Sequence, residues 1–125
     1  MDFAVDHRLH GRFTIVTVSG ELDVFTSPRL RETLVEIVEA GARHLIVDLS
    51  GVEFLDSTGL GVLVGIHHRL QAHDGTLSFV GPGERLRRVF RVTRLDKLFE
   101  IHPSLDEALQ SEAGPSAAPD RSGRE

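Results

Sequence analysis

The chain has 125 residues, of which 40% are hydrophobic and 26% are charged, and this balance is typical of one globular domain. It contains no cysteine, which excludes disulfide bonds, thiolate metal sites and a cysteine nucleophile. The formal net charge of -5 disfavours a nucleic-acid partner. The sequence shows neither an apolar run long enough to span a membrane nor a secretory leader. We therefore expect a cytoplasmic protein with no nucleic-acid or membrane partner.

Two strands and a helix are predicted for the first third of the chain. Residues 12–22 are rich in β-branched side chains and indicate a strand, with residues 3–9 as its partner. For the helix that follows, Ser27 is the expected N-cap, Pro28 suits the first helical position and Gly41 suits the end.

The rest of the chain alternates between strands and helices. The apolar run Leu45–Val47 is typical of a strand that is covered on both faces. After it we predict a helix ending near Ala72, a strand within 75–81, a helix at 84–94, an edge strand at 98–102 and a short helix with the capping box Ser104 and Glu107. Residues 111–125 have no aliphatic side chain larger than alanine and are predicted to be disordered. The pattern predicts one α/β domain over residues 1–110, with a mixed, partly parallel sheet of four to five strands and about four helices.

The segment Glu84–Arg94 predicts an amphipathic helix with a basic exterior. Its apolar residues share one helical face, and the other faces carry Arg85, Arg87, Arg88, Arg91 and Arg94. A solvated exterior is the plainest interpretation. A docking surface for an acidic partner is the alternative that the sequence leaves open.

The segment FLDSTGLGVLVG (Phe54–Gly65) places two hydroxyls between an acid and a glycine-rich apolar run. A serine-hydrolase elbow is disfavoured, because it needs glycine two positions on either side of the serine, where Ser57 has Leu55 and Gly59. A dinucleotide-binding loop is also disfavoured, because Val64 holds the position of the third glycine in that fingerprint.

Histidines in the following helix do not form a metal-binding pattern. The spacings of His67, His68 and His73 are one and six residues, so the three side chains cannot share one helical face. Since the serine-hydrolase elbow and the dinucleotide-binding loop are also disfavoured, we predict no catalytic residues, no cofactor and no metal site.

The start of this helix leaves two interpretations open. Asp56 or Ser57 can cap the helix by accepting from backbone N–H groups two or three residues on, which is a purely structural role. However, Ser57, Gly61 and Gly65 recur every four residues and form a smooth track along the helix. Since glycine costs about 1 kcal/mol relative to alanine inside a helix, this track indicates close approach by another backbone, either from the same sheet or from a partner.

Three segments together resemble one known family. They are VDLSGVEFLDSTGLGVLVG (Val47–Gly65), GELD (Gly20–Asp23) and LDKLFEIHPSLDEAL (Leu95–Leu109). Through them the chain resembles the STAS domains, and specifically the bacterial anti-sigma-factor antagonists, over about Val5–Leu109. The resemblance implies a STAS-type fold and a binding protein rather than an enzyme.

The resemblance also implies a mechanism. Such a protein binds an anti-sigma factor that has serine-kinase activity, which releases a sigma factor for transcription. The kinase then phosphorylates the antagonist and stops binding, and a phosphoserine phosphatase restores it. By position the phosphoacceptor is Ser57, with Thr58 as a secondary candidate. The implied partner-binding residues are Asp23, Asp56, Ser57, Thr58, Gly59 and Gly61.

Two other functions stay open at this point. One is a STAS scaffold or accessory subunit of a stress-signalling or transport assembly, and the other is a small nucleotide-binding protein.

For the phosphorylation hypothesis, a helix start offers free N–H donors and partial positive charge, so we expect the fold to tolerate a phosphate on Ser57. The phosphate would then act on binding, because it adds negative charge next to Asp56 and Asp23.

Overall fold

The computed structural model describes residues 2–113 and contains one five-stranded sheet with four helices. The strands are β1 (Ala4–His10), β2 (Phe13–Leu22), β3 (His44–Leu55), β4 (Thr76–Val80) and β5 (Glu100–His102). The helices are α1 (Ser27–Glu39), α2 (Ser57–Gln71), α3 (Glu84–Val92) and α4 (Leu105–Ala113), and a single 3-10 turn covers Leu95–Lys97. The strands lie in chain order, with β1 antiparallel to β2 and all other neighbours parallel. The predicted α/β class with a mixed sheet is confirmed.

The sheet separates two apolar layers. Helices α1, α2 and α3 pack on one face, and α4 packs on the other. In β3, Leu45 and Val47 belong to the first layer and Ile46 belongs to the second, and none of the three is accessible to solvent. The prediction of a strand covered on both faces is therefore confirmed. No helix within residues 2–113 has the length and apolar character needed to cross a membrane.

Helix α1 begins one residue earlier than the sequence predicts. Its N-cap is Thr26, and Ser27 is the first helical residue, buried and with its hydroxyl 3.3 Å from that of Thr58. The prediction that Ser27 caps α1 is wrong, and the reason lies in the preceding loop. The hydroxyl of Thr26 donates to the carbonyl of Glu21 (2.6 Å), which closes the preceding loop so that the helix starts directly after Thr26.

Helix α4 begins as predicted and ends later. The hydroxyl of Ser104 accepts a hydrogen bond from the backbone N–H of Glu107 (3.2 Å), which is one half of the expected capping box; the return bond to the Glu107 side chain is not formed within residues 2–113. The helix runs to Ala113, three residues past the expected domain boundary at residue 110. Alanine and glutamate are good helix formers, so the helix continues without a large aliphatic side chain. Residues 114–125, the rest of the predicted tail, lie outside the described residues.

The glycines of α2 occupy two different environments. At Gly59, an added Cβ would lie 2.6 Å from Leu55 Cδ1 and 3.1 Å from Leu22 Cβ, so only glycine lets the first turn of α2 pack on the ends of β2 and β3. At Gly61 and Gly65, an added Cβ would meet no neighbouring heavy atom within 4 Å. The track predicted along α2 therefore does not serve packing on the protein's own sheet.

We expect opposite effects from two alanine substitutions in α2. Gly59→Ala forces a contact with Leu22 and Leu55, and overpacking of this kind costs about 1–3 kcal/mol. Gly65→Ala enters open space and should stabilise the protein by up to about 1 kcal/mol through helix propensity. Urea denaturation of both variants beside the wild type tests this, and equal midpoints for the two variants would contradict the packing role of Gly59.

Candidate functional site at the ends of β2 and β3

The parallel pairing of β2 with β3 brings two loops together. Leu22 and Leu55 are register partners at the carboxyl ends of these strands, so Asp23 and Asp56 each follow the end of a paired strand. The backbone N–H of Asp56 donates to the carbonyl of Leu22 (3.1 Å), which extends the pairing by one residue. The carboxyl ends of neighbouring parallel strands are where binding sites of α/β proteins commonly form.

The loop between β2 and α1 is closed by its own hydrogen bonds. The Oδ1 atom of Asp23 accepts from the backbone N–H groups of Phe25 (2.9 Å) and Thr26 (3.1 Å). The hydroxyl of Thr26 in turn accepts from the backbone N–H of Asp23 (3.0 Å). Asp23 is half-buried and organises the loop, and the register of β2 with β3 puts it after the residue that pairs with the one before Asp56.

Asp56 is the N-cap of α2. Its backbone is extended, and its Oδ1 atom accepts from the backbone N–H groups of Thr58 (2.9 Å) and Gly59 (3.3 Å) and from the hydroxyl of Thr58. The hydroxyl bond from Thr58 is the largest cause of a lowered pKa of the Asp56 carboxyl; desolvation opposes it, and the backbone bonds from Gly59 and Thr58 lower the pKa further. Of the two cap candidates, Asp56 is therefore the cap and Ser57 is not.

This cap corrects the expected basis for tolerating a phosphate. The helix start was expected to offer free N–H donors, but Asp56 already occupies those of Thr58 and Gly59. A phosphate on Ser57 would therefore meet an anionic group at the helix start and two donors that are already occupied. The partial positive charge of the helix start remains a basis for tolerance, and the exposure of Ser57 is another, since a group added to an exposed hydroxyl displaces no core atom.

The two neighbouring hydroxyls differ in their surroundings. The Thr58 hydroxyl donates to Asp56 and lies 3.3 Å from the hydroxyl of Ser27. The Ser57 side chain is exposed, and its hydroxyl makes no hydrogen bond within residues 2–113. The hydroxyl of Ser57 is thus free to react, whereas that of Thr58 is held by the cap.

The two glycines expected in the partner-binding set also differ. Gly59 is buried against Leu22 and Leu55, so it does not lie on the exposed part of the site; it is glycine for internal packing. Gly61 is exposed on a groove of about 410 Å³ between α1 and α2. This groove is lined by Arg31, Val35, Thr58, Gly61, Val62, Gly65, Ile66 and Arg69.

Sequence reasoning missed three apolar residues at this edge of the sheet. Six large hydrophobic side chains are exposed in the described part of the chain, and three of them, Val24, Phe25 and Phe54, lie in or beside the two loops. The sequence did contain a signal, because the apolar pair Val24-Phe25 stands between the polar residues Asp23 and Thr26, at the point where a strand ends. An apolar pair there packs on nothing within its own loop.

The predicted basic helix is confirmed as an amphipathic element. Leu86 and Phe90 of α3 are buried, whereas Arg85, Arg88 and Arg91 are exposed. The helix ends at Val92, so Arg94, which was predicted to belong to it, lies beyond its end. A docking role for these arginines stays a prediction.

The histidines of α2 serve packing or face solvent. The ring of His67 lies edge-on to Phe99 at 5.4 Å, and burial, with a further contribution from His68, lowers its pKa. Among residues 2–113, no group of three His, Asp or Glu side chains is placed to hold a metal ion.

We expect the carboxyl of Asp56 to titrate below the usual range in the folded protein. Because the Thr58 hydroxyl is the largest cause of the lowered pKa, Thr58→Val should move the pKa back toward its ordinary value. Carboxyl ¹³C shifts followed by NMR between pH 2 and 6 provide the measurement. Ser57→Ala is the matched control and should leave the titration unchanged, and an unchanged titration in Thr58→Val would contradict the hydrogen-bond arrangement.

Comparison with known proteins places this architecture in a family. A family model for the STAS domain matches residues 4–108. The chain is 38% identical over 102 residues to an anti-sigma-B factor antagonist of Staphylococcus epidermidis, covering 82% of this chain and 94% of that protein.

Solved structures agree with the sequence comparison. An anti-sigma factor antagonist from Mycobacterium paratuberculosis superimposes with a TM-score of 0.83 at 34% identity, covering 90% of this chain and 96% of the other. A crystal structure of a Thermotoga maritima protein gives a TM-score of 0.84 at 25% identity, covering 88% of this chain and 95% of the other. With the strand order and the helix placement described above, these matches establish that the chain belongs to the STAS domain family.

Proposed function

We propose that this chain is a cytoplasmic anti-sigma-factor antagonist whose binding is controlled by phosphorylation of Ser57. Unphosphorylated, it binds an anti-sigma factor that is also a serine kinase, and a sigma factor is released. Phosphate on Ser57 ends that binding, and a phosphoserine phosphatase restores it. The names of relatives that are 36–38% identical over most of the chain support the antagonist role. The observation that carries the proposal is the exposed hydroxyl of Ser57, which has no hydrogen-bond partner in the described chain.

The surroundings favour Ser57 over Thr58 as the phosphoacceptor. Transfer of a phosphoryl group requires a hydroxyl oxygen that can approach the γ-phosphate of ATP. The Thr58 oxygen would first have to give up its hydrogen bond to Asp56. Loss of that bond would also loosen the cap of α2, which the Ser57 oxygen does not share. We therefore assign Ser57 as the modified residue.

The arrangement also weakens the nucleotide-binding alternative. A phosphate-binding loop offers vacant backbone N–H groups at a helix start. Here the donors of Thr58 and Gly59 are held by Asp56, an anion that would repel a nucleotide phosphate. Gly61 lies on a side groove of the helix and not in the turn that precedes it. The residues at this edge fit a protein partner better than a nucleotide.

Electrostatics explains how one phosphate can end binding. In the free chain, water reduces the repulsion between unit charges about 6 Å apart to below about 1 kcal/mol. At an interface with an effective dielectric constant of about 20, the same repulsion is about 3 kcal/mol per unit of charge. A phosphate carries nearly two charges, so its repulsion from one nearby carboxylate rises from about 1 kcal/mol in the free chain to about 5 kcal/mol at the interface, and binding is weakened by the difference of about 4 kcal/mol. A shift from nearly complete to nearly absent binding needs about 5.5 kcal/mol.

The other implied binding residues have distinct parts in this proposal. Asp23 keeps the β2–α1 loop in one conformation, and Asp56 holds the helix start and supplies the charge that opposes the phosphate. Thr58 and Gly61 border the groove beside Ser57. Gly59 acts from inside, by letting α2 pack close to the strand ends.

Two substitutions of Ser57 test the switch. With the cognate kinase and ATP, Ser57→Ala should stay bound, because it cannot be phosphorylated. Ser57→Asp should bind about 30-fold more weakly, the equivalent of about 2 kcal/mol for one added charge that moves from water to the interface. Isothermal titration calorimetry against the kinase measures both, with Ser50→Ala as a control that removes another exposed serine.

A melting experiment separates binding from folding. Ser57→Asp should melt within a few degrees of the wild type, because the side chain is exposed and no core contact changes. Marked unfolding of Ser57→Asp would move the switch from the interface to the fold. Equal affinities for Ser57→Ala and Ser57→Asp would exclude charge as its cause.

A further inference from the structure

Val24 and Phe25, which we call the apolar anchor, form an exposed hydrophobic pair with no assigned role. Phe25 is 82% exposed and Val24 is 58% exposed, although burial of such side chains is favourable. We infer that the apolar anchor inserts into an apolar pocket of the same serine-kinase partner that modifies Ser57. This inference rests on the proposed function and adds to it the source of affinity and specificity.

The loop that carries the apolar anchor is preorganised. The backbone N–H of Phe25 donates to Asp23 Oδ1 (2.9 Å), and the hydroxyl of Thr26 ties the loop to the carbonyl of Glu21 (2.6 Å). A residue on such a loop loses little backbone freedom on binding, so more of its burial energy appears as affinity. Aromatic residues in this situation are the usual centres of binding energy at protein interfaces.

The position of the apolar anchor favours the kinase as its occupant. Asp23 and Asp56 directly follow the paired residues Leu22 and Leu55, so the anchor loop and the helix start that carries Ser57 share one edge of the sheet. The hydroxyls of Ser27 and Thr58 lie 3.3 Å apart and join the first turns of α1 and α2, which directly follow the two loops. A protein that covers the Ser57 hydroxyl would also cover the neighbouring loop.

Charge at this edge argues against other occupants. The carboxylates of Asp23 and Asp56 lie next to the apolar anchor, and the exposed Glu21 precedes it by three residues. Anionic lipid surfaces and nucleic acids would be repelled by these groups. A protein with an apolar pocket and no excess of negative charge around it fits both features of the edge.

The inference divides the interface into two separable parts. The apolar anchor contributes affinity in both phosphorylation states, because its burial does not depend on charge. Ser57 contributes the switch, because its phosphate changes the repulsion and leaves the anchor in place. Phe25 is then a docking and specificity residue that does not touch the reacting atoms.

The test uses the full chain and a purified serine kinase from the same organism. The kinase is chosen by one criterion, which is that it transfers phosphate from ATP to Ser57 of this chain. Phe25→Ala should raise the Kd for this kinase by about 30-fold, as expected for loss of a central aromatic. It should raise KM for phosphorylation of Ser57 and leave kcat unchanged, because docking energy is shared by the ground state and the transition state. Phe25→Leu should recover part of the affinity.

Leu9→Ala is the matched control. Leu9 is 79% exposed, similar to Phe25, and it pairs with Thr14 near the start of β2, at the opposite end of the sheet from the site. This variant should bind and be phosphorylated like the wild type. Both variants should also melt like the wild type, because each removes only an exposed side chain.

The possible outcomes separate the two proposals. A kinase that modifies Ser57 but binds Phe25→Ala and Leu9→Ala equally would overturn the apolar anchor and leave the proposed function intact. A fall in kcat at unchanged KM would also overturn it, because it would place Phe25 in the chemistry. If the organism has no kinase that modifies Ser57, the proposed function fails and the apolar anchor fails with it.

Discussion

The pairing of Leu22 with Leu55 is the contact on which the whole site depends. Both side chains are buried, and both lie where β2 and β3 end in parallel. The pairing sets Asp23 beside Asp56 and leaves room above the two leucines for one residue without a side chain, Gly59. Through these contacts the apolar core fixes the position of a polar edge. The site can therefore be rigid although nearly all of it lies on loops and a helix start.

Because of this placement, the adjacent polar residues Asp56 and Ser57 have different roles. Asp56 accepts three hydrogen bonds and stays anionic, which holds α2 and the Thr58 hydroxyl in place. Ser57 then has no structural task in the described chain, and its hydroxyl faces outward. A residue without a structural task can change its charge at little cost to stability. The same charge is costly at an interface, where water no longer screens it from the carboxylates nearby.

Much of the architecture could be predicted from sequence, because local patterns determined it. The run Leu45–Val47 identified a doubly covered strand, and the spacing of apolar residues placed the helices. Predictions failed where a residue's role depends on a distant neighbour. Ser27 looks like a helix cap, but it is buried as the first residue of α1, with its hydroxyl beside that of Thr58 in α2.

The same reason limits prediction of the site. The four-residue repeat of Ser57, Gly61 and Gly65 is visible in the sequence, but periodicity cannot tell whether the track faces the sheet or an open groove. The exposed pair Val24-Phe25 was visible too, yet only the paired strand ends place it beside the helix start. The central claim is that phosphate on Ser57 alters this edge and leaves the fold unchanged. Amide hydrogen exchange of the chain before and after phosphorylation tests it most directly: we predict changes confined to the β2–α1 loop and the first turn of α2, and faster exchange throughout β2 and β3 would contradict the claim.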